Sequence, residues 1–212
     1  TLKNLKCVNQ AGGRLEPHFT EYFIDYFASH EIPYFTMYGA TEATPRISFV
    51  PSNRAKEKLG TVGVPIDIGS LYTDAEDGVS EGQLIYQGPN VCLGYSLCRE
   101  DLIKGDEFNQ VLETGDIGFI DEDGFATIVG RKKRFVKVFG VSLNLDALET
   151  IIKGIVSDSV VIGEDDNVKA LYVGELSADK IKEEIMSKVT FSHKGLKVIS
   201  IPEILLNSAG KP

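Results

Sequence analysis

The sequence is poor in the residue types that build metal centres and catalytic triads. Its 212 residues include only three cysteines and three histidines, and neither set has a spacing typical of a metal site or a triad. An odd and sparse set of cysteines is typical of a reducing compartment, so we expect a cytoplasmic protein. We interpret two cysteines as packing residues and the histidines as surface or core residues: Cys92, Cys98, His18, His30 and His193.

Long apolar runs and an excess of positive charge are also lacking. No run approaches the roughly 18 residues of a membrane span, and the first residues do not resemble a signal peptide. Because 31 acidic residues outnumber 22 basic ones, the net charge of −9 argues against a general nucleic-acid binder. With 42% hydrophobic and 25% charged residues, the composition is that of one or two folded domains.

The hydrophobic pattern divides the chain into three parts. Residues 1–55 combine short apolar runs with a helical repeat, which is typical of an α/β domain. Residues 56–132 are rich in glycine and proline and predict a small β-barrel or twisted antiparallel sheet. Residues 133–212 alternate strands with two amphipathic helices and predict a small α+β domain. The predicted fold class is therefore α/β and α+β.

Local signals place several elements within these parts. Asp123-Gly124 predicts a tight hairpin turn, because glycine supplies the positive φ that such turns need. Asn144 and Ser177 are typical N-terminal caps of helices. A helix is predicted from about residue 17 to residue 30, and its aromatic residues repeat with helical spacing on one face: Phe19, Tyr22, Phe23, Tyr26 and Phe27.

Two segments of the first part end predicted strands in glycine-containing loops. Residues 38–42 read Tyr-Gly-Ala-Thr-Glu, and a single glutamate beside phosphate oxygens suits Mg²⁺. The alternative is an ordinary turn with a surface glutamate. Residues 11–15 read Ala-Gly-Gly-Arg-Leu, where glycine permits close backbone approach. The alternative there is a plain turn before the helix.

Three later segments carry charged groups. Thr114-Gly115-Asp116 is expected in a turn before residues 117–119, and its alternative interpretation is an ordinary turn aspartate. Residues 130–140, Gly-Arg-Lys-Lys-Arg-Phe-Val-Lys-Val-Phe-Gly, enter an alternating strand; the alternative is a basic patch like a nuclear-localisation run. Residues 207–211, Asn-Ser-Ala-Gly-Lys, place a lysine on a polar loop, and the alternative is a solvated lysine near a chain end.

In their order and spacing, these segments resemble the adenylate-forming (AMP-binding) superfamily. This superfamily contains acyl-CoA synthetases, nonribosomal peptide synthetase adenylation domains and luciferases, which activate a carboxylic acid with ATP. Residues 82–95, with the sequence Gly-Gln-Leu-Ile-Tyr-Gln-Gly-Pro-Asn-Val-Cys-Leu-Gly-Tyr, match a further family stretch that we interpret as structural. The resemblance covers nearly the whole chain, and it depends on six motifs in order rather than on any single one.

The resemblance implies nucleotide contacts in the first part of the chain. Gly13 and Arg14 would contact the adenine and line the acyl pocket. Tyr38 would pack on the adenine, and Gly39 would allow backbone to approach the acyl group. In the later part, Asp116 would accept hydrogen bonds from both ribose hydroxyls.

The resemblance also implies the reacting groups. Thr41 would bond the α-phosphate, and Glu42 would hold Mg²⁺. Arg131 would contact the ribose, while Lys211 would be the catalytic lysine that bridges the carboxylate and the α-phosphate.

The segment after Gly130 is similar to the family's hinge. Lys133 would be the hinge residue, and Gly140 would border the thiol tunnel. This chain has Ser142 where the family usually has an arginine, which puts the contacts with a thiol acceptor in doubt. The implied cofactors are ATP, Mg²⁺ and either CoA or phosphopantetheine.

The implied function is formation of an acyl-adenylate and then a thioester with CoA or a carrier protein. The alternatives are an adenylation domain for an amino or aryl acid and a non-catalytic nucleotide-binding remnant. The family's phosphate-gripping loop is not found in these residues. The resemblance therefore implies the end of the large domain (1–55), a subdomain (56–132) and a lid (133–212). A missing N-terminal part is the expected partner, and the chain alone is expected to be inactive.

Overall fold

The computed structural model describes residues 4–13, 15–75 and 79–206. Within these ranges the chain forms three α-helices and thirteen β-strands in four sheets. It divides into two compact units, Thr1–Val129 and Gly130–Pro212, which are called the first and second unit below. None of the helices in the described ranges is long and apolar enough to cross a membrane.

The first sheet of the first unit contains a parallel pair. Strand β1 (Val8–Gln10) runs parallel to β2 (Tyr34–Tyr38), and helix α1 (Pro17–Ala28) connects them. Strands β3 (Ser48–Val50) and β4 (Val64–Pro65) extend the sheet in antiparallel fashion. Because β1 and β2 are parallel neighbours, the loops that follow them leave from the same edge of the sheet.

Helix α1 begins where proline is tolerated, since Pro17 lacks the backbone N–H that a first helical turn leaves unpaired. Its buried residues are Thr20 and Ile24, and its Phe23 and Phe27 rings stack on Tyr34 with centroids 6.4 and 6.1 Å apart. The five aromatic residues neighbour one another along the helix as their spacing predicts, but the buried stripe is centred beside three of them: Phe19, Tyr22 and Tyr26 are exposed.

The second sheet of the first unit is an open half-barrel. Its strands lie in the order β5 (Ser70–Thr73), β6 (Gly82–Gln87), β7 (Val111–Ile120) and β8 (Ala126–Arg131). The predicted Asp-Gly turn between β7 and β8 is confirmed, since Gly124 has φ 82° and its N–H donates to the carbonyl of Asp121. The mixed sheets and few helices confirm the predicted fold class.

The second unit is a small α+β fold. Strands β9 (Phe135–Val138) and β10 (Val141–Asn144) form a hairpin that leads into α2 (Leu145–Lys153). Strand β11 (Ser159–Glu164) pairs antiparallel with β12 (Asn167–Tyr172), and α3 (Ala178–Lys188) crosses to β13 (Leu196–Ser200), which is parallel to β12.

The two helix caps of the second unit are as predicted. The side chain of Asn144 accepts hydrogen bonds from the N–H groups of Asp146 and Ala147, at 2.9 and 3.3 Å. The Ser177 hydroxyl accepts from the N–H of Lys180 at 3.3 Å. The helices they start bury one continuous core, whose fully buried members include Leu145, Leu148, Ile152, Val161, Ile181, Ile185 and Leu196.

Candidate functional site

The loop after β2 is folded tightly on itself. The N–H of Ile47 donates to the Tyr38 carbonyl at 2.8 Å and closes the loop. A side chain at Gly39 would collide with the backbone of Pro45 and would lie 2.8 Å from the nitrogen of Arg46. Glycine is therefore required at position 39 by the close approach of the two ends of the loop.

The same loop is supported from the half-barrel sheet. The Asn90 side-chain amide donates to the carbonyls of Ala43 and Arg46, at 2.6 and 3.3 Å. Its oxygen accepts from the Tyr86 hydroxyl at 2.7 Å. Because Tyr86 is fully buried, these bonds hold the short 3₁₀ turn Thr41–Ala43 on a rigid base. No pattern in the sequence predicts this role for Asn90.

A hydrogen bond joins two predicted site residues that lie far apart in the sequence. The Tyr38 hydroxyl donates to Oδ2 of Asp116 at 2.5 Å, across 78 residues. Asp116 is only 4% exposed, and it is the one buried acidic residue among the described residues. The motif after β2 and the Thr-Gly-Asp motif therefore form one cluster.

Asp116 lies within strand β7, so the prediction that it sits in a turn is wrong. Gln83 pairs with Ile117, whereas Ile85 pairs with Glu113, and the pairing therefore shifts between them. Gly115, with φ 73°, lies in this irregular stretch. A bulge of this kind turns side chains away from their regular direction and is common beside binding sites. Glycine with a positive φ is typical of turns, which explains why the sequence of this tripeptide predicts a turn.

The bulge is fixed by the threonine of the motif. The Thr114 hydroxyl donates to the carbonyl of Leu84 at 2.8 Å and accepts from the N–H of Asp116 at 3.1 Å. These two bonds replace the regular strand bonds that the bulge removes. Thr114 therefore orients Asp116 through these two bonds.

Glu42 lies against the loop that follows β6. The Tyr95 hydroxyl donates to Oε1 of Glu42 at 2.6 Å, and the N–H of Cys92 donates to its carbonyl at 2.6 Å. The hydrogen bond to Glu42 raises the pKa of the Tyr95 phenol, so this hydroxyl keeps its proton and orients the carboxylate. Tyr95 lies in the stretch whose sequence we interpret as structural, and only its Gly-Tyr context indicates a further role.

Glu42 in this loop suits a magnesium ion that is also coordinated by substrate phosphates. In the described ranges no group of three or more His, Cys, Asp or Glu side chains could hold a metal ion by itself. Mg²⁺ needs no such group, because it is commonly held by one or two carboxylates together with substrate phosphates and water. Glu42 fits the role of the carboxylate ligand.

The remaining predicted site residues are not all brought together. Gly13 lies in the exposed loop after β1, at the sheet edge from which the Tyr38 loop also leaves. Arg131 and Lys133 are exposed at the beginning of the second unit, and Gly140 has φ 86° in the β9–β10 turn. Arg14 and Lys211 lie outside the described residues.

The fold and this cluster agree with one class of protein. A buried Tyr–Asp pair, a glutamate-bearing loop on a half-barrel and a small α+β unit are consistent with the resemblance to the C-terminal part of adenylate-forming enzymes. The comparisons with known proteins confirm this resemblance, because the relatives and structural neighbours are all members of that superfamily. No family model matches the chain.

Sequence relatives include CoA ligases from bacteria and an amoeba. The 2-succinylbenzoate–CoA ligase of Bacillus cereus (strain AH820) is 28% identical over 216 residues, which cover 94% of this chain and 44% of the relative. The probable 4-coumarate–CoA ligase 1 of Dictyostelium discoideum is 34% identical over 135 residues, or 59% of this chain and 24% of the relative. The chain therefore spans less than half the length of these relatives.

Solved structures show the same fold. O-succinylbenzoate coenzyme A synthetase from Bacillus subtilis, in complex with AMP, superposes with a TM-score of 0.72 at 21% identity, covering 99% of this chain and 45% of that one. The amide bond synthetase McbA from Marinactinospora thermotolerans gives a TM-score of 0.68 at 19% identity, covering 100% of this chain and 46% of that one. At such identities the likeness concerns the fold.

Proposed function

We propose that this chain is part of an ATP-dependent, AMP-forming acid–thiol ligase. The enzyme would join a carboxylic acid to AMP, release pyrophosphate, and then form a thioester with CoA or with the phosphopantetheine of a carrier protein. The observation that carries the proposal is the Tyr38–Asp116 hydrogen bond, which unites the two motifs that would hold the nucleoside. Relatives named as CoA ligases over 94% of the chain support it.

The nucleoside would be held by groups that are already oriented. An ionised carboxylate only accepts hydrogen bonds, so Asp116 suits a pair of ribose hydroxyls. Its bond to the Tyr38 hydroxyl fixes the tyrosine ring, which would then offer a flat face to the adenine. Gly13 and Arg14 would complete the adenine side, and the tight backbone at Gly39 would leave room for the acyl group.

The reaction brings a carboxylate to a phosphate, so it needs positive charge. Arg131 and Lys211 would supply fixed cations, and the lysine ammonium is a compact donor that suits the developing negative charge. Thr41 would donate to the α-phosphate. Mg²⁺, when bound with ATP beside Glu42, would neutralise phosphate charge, and the Tyr95 hydroxyl would keep that carboxylate in place.

The second half-reaction would involve the small unit as a lid. Lys133 would be the hinge about which residues 133–212 turn between the two steps, and Gly140 would border the path of the thiol. Residues 1–55 would complete a larger nucleotide-binding domain, and residues 56–132 would form the subdomain between them. An N-terminal part would be needed as partner, since the relatives are more than twice as long as the match. We also propose a cytoplasmic location.

One observation favours a second candidate. Ser142 stands where the family usually has an arginine, so the thiol acceptor would be bound differently or not at all. The chain would then belong to an adenylation domain for an amino or aryl acid that feeds a carrier protein.

Acid-dependent exchange of labelled pyrophosphate into ATP tests the proposal. The full-length protein is incubated with ATP, Mg²⁺ and a panel of acids, and we expect exchange that is lost in Lys211→Ala and retained in Lys194→Ala. Thioester formation with CoA would favour the acid–thiol ligase, whereas activation of an amino or aryl acid without a CoA thioester would favour the second candidate. Exchange by the 212-residue chain alone would contradict the need for an N-terminal part. A folded full-length protein that is silent across the panel would favour a non-catalytic remnant.

A further inference from the structure

Thr44, in the loop after β2, has an unusual backbone conformation. Its φ is 64° and its ψ is −177°, a combination that is populated almost only by glycine. Two features of the sequence oppose this φ, because threonine is branched at Cβ and because a residue before a proline prefers φ near about −120°. Among the non-glycine residues of positive φ in the described ranges, Thr44 is the one that is β-branched. The loop therefore stores backbone strain at this position.

Asn90 closes the turn that contains Thr44. Its Nδ2 donates to the carbonyl of Ala43 at 2.6 Å and to the carbonyl of Arg46 at 3.3 Å. These carbonyls lie on either side of the Thr44–Pro45 pair, so one nitrogen fixes both ends of the strained stretch. The side chains of Thr44, Pro45 and Arg46 are exposed, so their own packing contributes little to holding the turn.

The Asn90 amide is itself held in the orientation that these bonds need. Its Oδ1 accepts from the Tyr86 hydroxyl at 2.7 Å. Tyr86 is fully buried, and a side chain at Gly69 or Gly88 would collide with its hydroxyl, so the ring is closely enclosed. Burial raises the pKa of Tyr86, so the phenol keeps the proton that it donates. With its oxygen facing Tyr86, the amide turns its NH₂ group to the two carbonyls.

The Ala43–Thr44 peptide links Asn90 to the 3₁₀ turn that carries Thr41. This peptide contains the carbonyl that Asn90 binds, and its N–H donates to the Thr41 carbonyl at 3.4 Å. Because a peptide group is planar, fixing its carbonyl also fixes the direction of its N–H. Relaxation of φ at Thr44 would rotate this peptide and weaken both bonds together.

Glu42, in the same turn, has supports of its own. The N–H of Cys92 donates to its carbonyl at 2.6 Å, and the Tyr95 hydroxyl donates to its carboxylate at 2.6 Å. Neither bond involves the Ala43–Thr44 peptide. A change at Asn90 should therefore affect Thr41 more than Glu42.

We propose that Asn90 is a positioning residue that holds Thr44 in its strained conformation and thereby orients Thr41 towards the α-phosphate. The chain loses stability at Thr44 and gains a fixed turn, as is common at functional sites. The task of Thr41 rests on the proposed function. The strained turn and its dependence on Asn90 rest only on the contacts described above.

Glycine at position 44 tests the strain. In urea denaturation of the 212-residue chain, Thr44→Gly should raise the folding equilibrium constant about fivefold, because glycine adopts this φ without steric cost. Thr44→Ala is the matched control, since it removes the hydroxyl and methyl groups but keeps Cβ, and it should gain much less. If Thr44→Gly is no more stable than Thr44→Ala, the strain is absent and the proposal is wrong.

Hydrogen exchange of the 212-residue chain tests the dependence on Asn90. The reporter is the N–H of Ala43, which donates to the Ala40 carbonyl at 3.0 Å within the turn. Asn90→Asp keeps the oxygen that binds Tyr86 but loses the donor, so this N–H should exchange at least about tenfold faster. Addition of Thr44→Gly should restore most of the protection, because glycine keeps the conformation without strain.

Two comparisons separate this effect from charge and from general loosening. Asn90→Ala, which adds no charge, should behave like Asn90→Asp, whereas Asn53→Asp adds the same charge at an exposed position and should leave the Ala43 N–H protected. Unchanged exchange at Ala43 in both Asn90 variants overturns the proposal. Equally accelerated exchange throughout β6 also overturns it, because Asn90 would then serve the stability of the whole sheet.

Pyrophosphate exchange by the full-length protein tests the consequence for Thr41. Asn90→Asp should lower the rate at saturating ATP about tenfold, and addition of Thr44→Gly should restore most of it. The Mg²⁺ concentration needed for half-maximal rate should change less than about twofold, because Glu42 is held separately.

Three results of this assay are decisive. A raised Mg²⁺ requirement with an unchanged rate at saturation would assign Asn90 to the metal site and contradict the proposal. A loss of rate that Thr44→Gly does not rescue contradicts it as well. If the wild-type enzyme shows no exchange, the proposed function fails, whereas the stability and hydrogen-exchange results still decide whether Asn90 holds the strained turn.

Discussion

The two units differ in how their cores are built. Among the residues that the structure describes, the second unit has one cluster of fourteen buried residues, whereas the first unit contains two separate clusters of five residues each. The candidate nucleotide site, with Tyr38 and buried Asp116, belongs to the first unit. A divided core leaves room for polar groups that bind ligands, while a continuous core favours a rigid body that moves as one piece. The second unit should therefore be the more cooperative of the two.

The largest expected effect is a cavity in the continuous core. Ile152→Ala should cost about 2–5 kcal/mol of unfolding free energy, because Ile152 is fully buried. Urea denaturation followed by circular dichroism measures it. The control Ile199→Ala, at a residue that is 38% exposed, should cost much less. A loss below about 1 kcal/mol for Ile152→Ala would show that this core is loosely packed.

The next effect concerns the polar cluster of the first unit. Tyr38→Phe removes the donor to a buried carboxyl and should cost about 1.5–3 kcal/mol, since hydrogen bonds to charged groups are strong. In the full-length protein it should also weaken AMP binding, measured by titration calorimetry. Tyr72→Phe, at a 42% exposed residue, is the matched control. Equal stability and equal AMP affinity of the two variants would show that the Tyr38–Asp116 bond contributes little to either.

A smaller effect is expected at the start of α2. Asn144→Ala removes a cap that accepts two backbone N–H bonds and should cost about 0.5–2 kcal/mol. Asn144→Asp keeps the accepting oxygen and should restore most of the loss in a urea titration. If aspartate fails to restore stability, the amide nitrogen rather than the cap matters at this position.

The smallest effect is a pH-dependent one at the surface of the first unit. Lys58 binds Asp121 and Asp123 at 2.9 and 2.5 Å, and these hydrogen bonds hold the pKa values of both carboxyls below their usual range. Stability from a lowered pKa is present above the usual value near 3.9 and is lost as pH falls through the lower, folded-state value. The melting temperature of Lys58→Met should therefore be lower than that of the wild type at neutral pH, and this difference should disappear in acid.

The same interaction has an upper pH limit. Hydrogen bonds to Asp123 and Asp121 raise the pKa of Lys58. Its contribution is therefore complete below the usual lysine pKa near 10.4 and lost as pH rises through the higher, folded-state value. A gap between wild type and Lys58→Met that stays constant from acid to strong base would contradict this ion-pair account.

Sequence reasoning succeeded where local rules decide the structure. The caps at Asn144 and Ser177, the Asp-Gly turn and strand β9 follow from short-range preferences. It failed where contacts between residues far apart in the sequence decide the structure. The orientation of α1 depends on which side meets Tyr34, and the bulge at Gly115 depends on pairing with β6. The bond from Tyr95 to Glu42 joins two loops 53 residues apart, and no local pattern indicates it.

The Tyr38–Asp116 bond has a consequence for the order of folding. It closes a loop of 78 residues and joins β2 to β7, which lie in different sheets. Contacts so distant in sequence form slowly, whereas the β9–β10 and β11–β12 hairpins of the second unit join near neighbours. The candidate nucleotide site should therefore be the last region to acquire native hydrogen-exchange protection during refolding, well after the hairpins of the second unit.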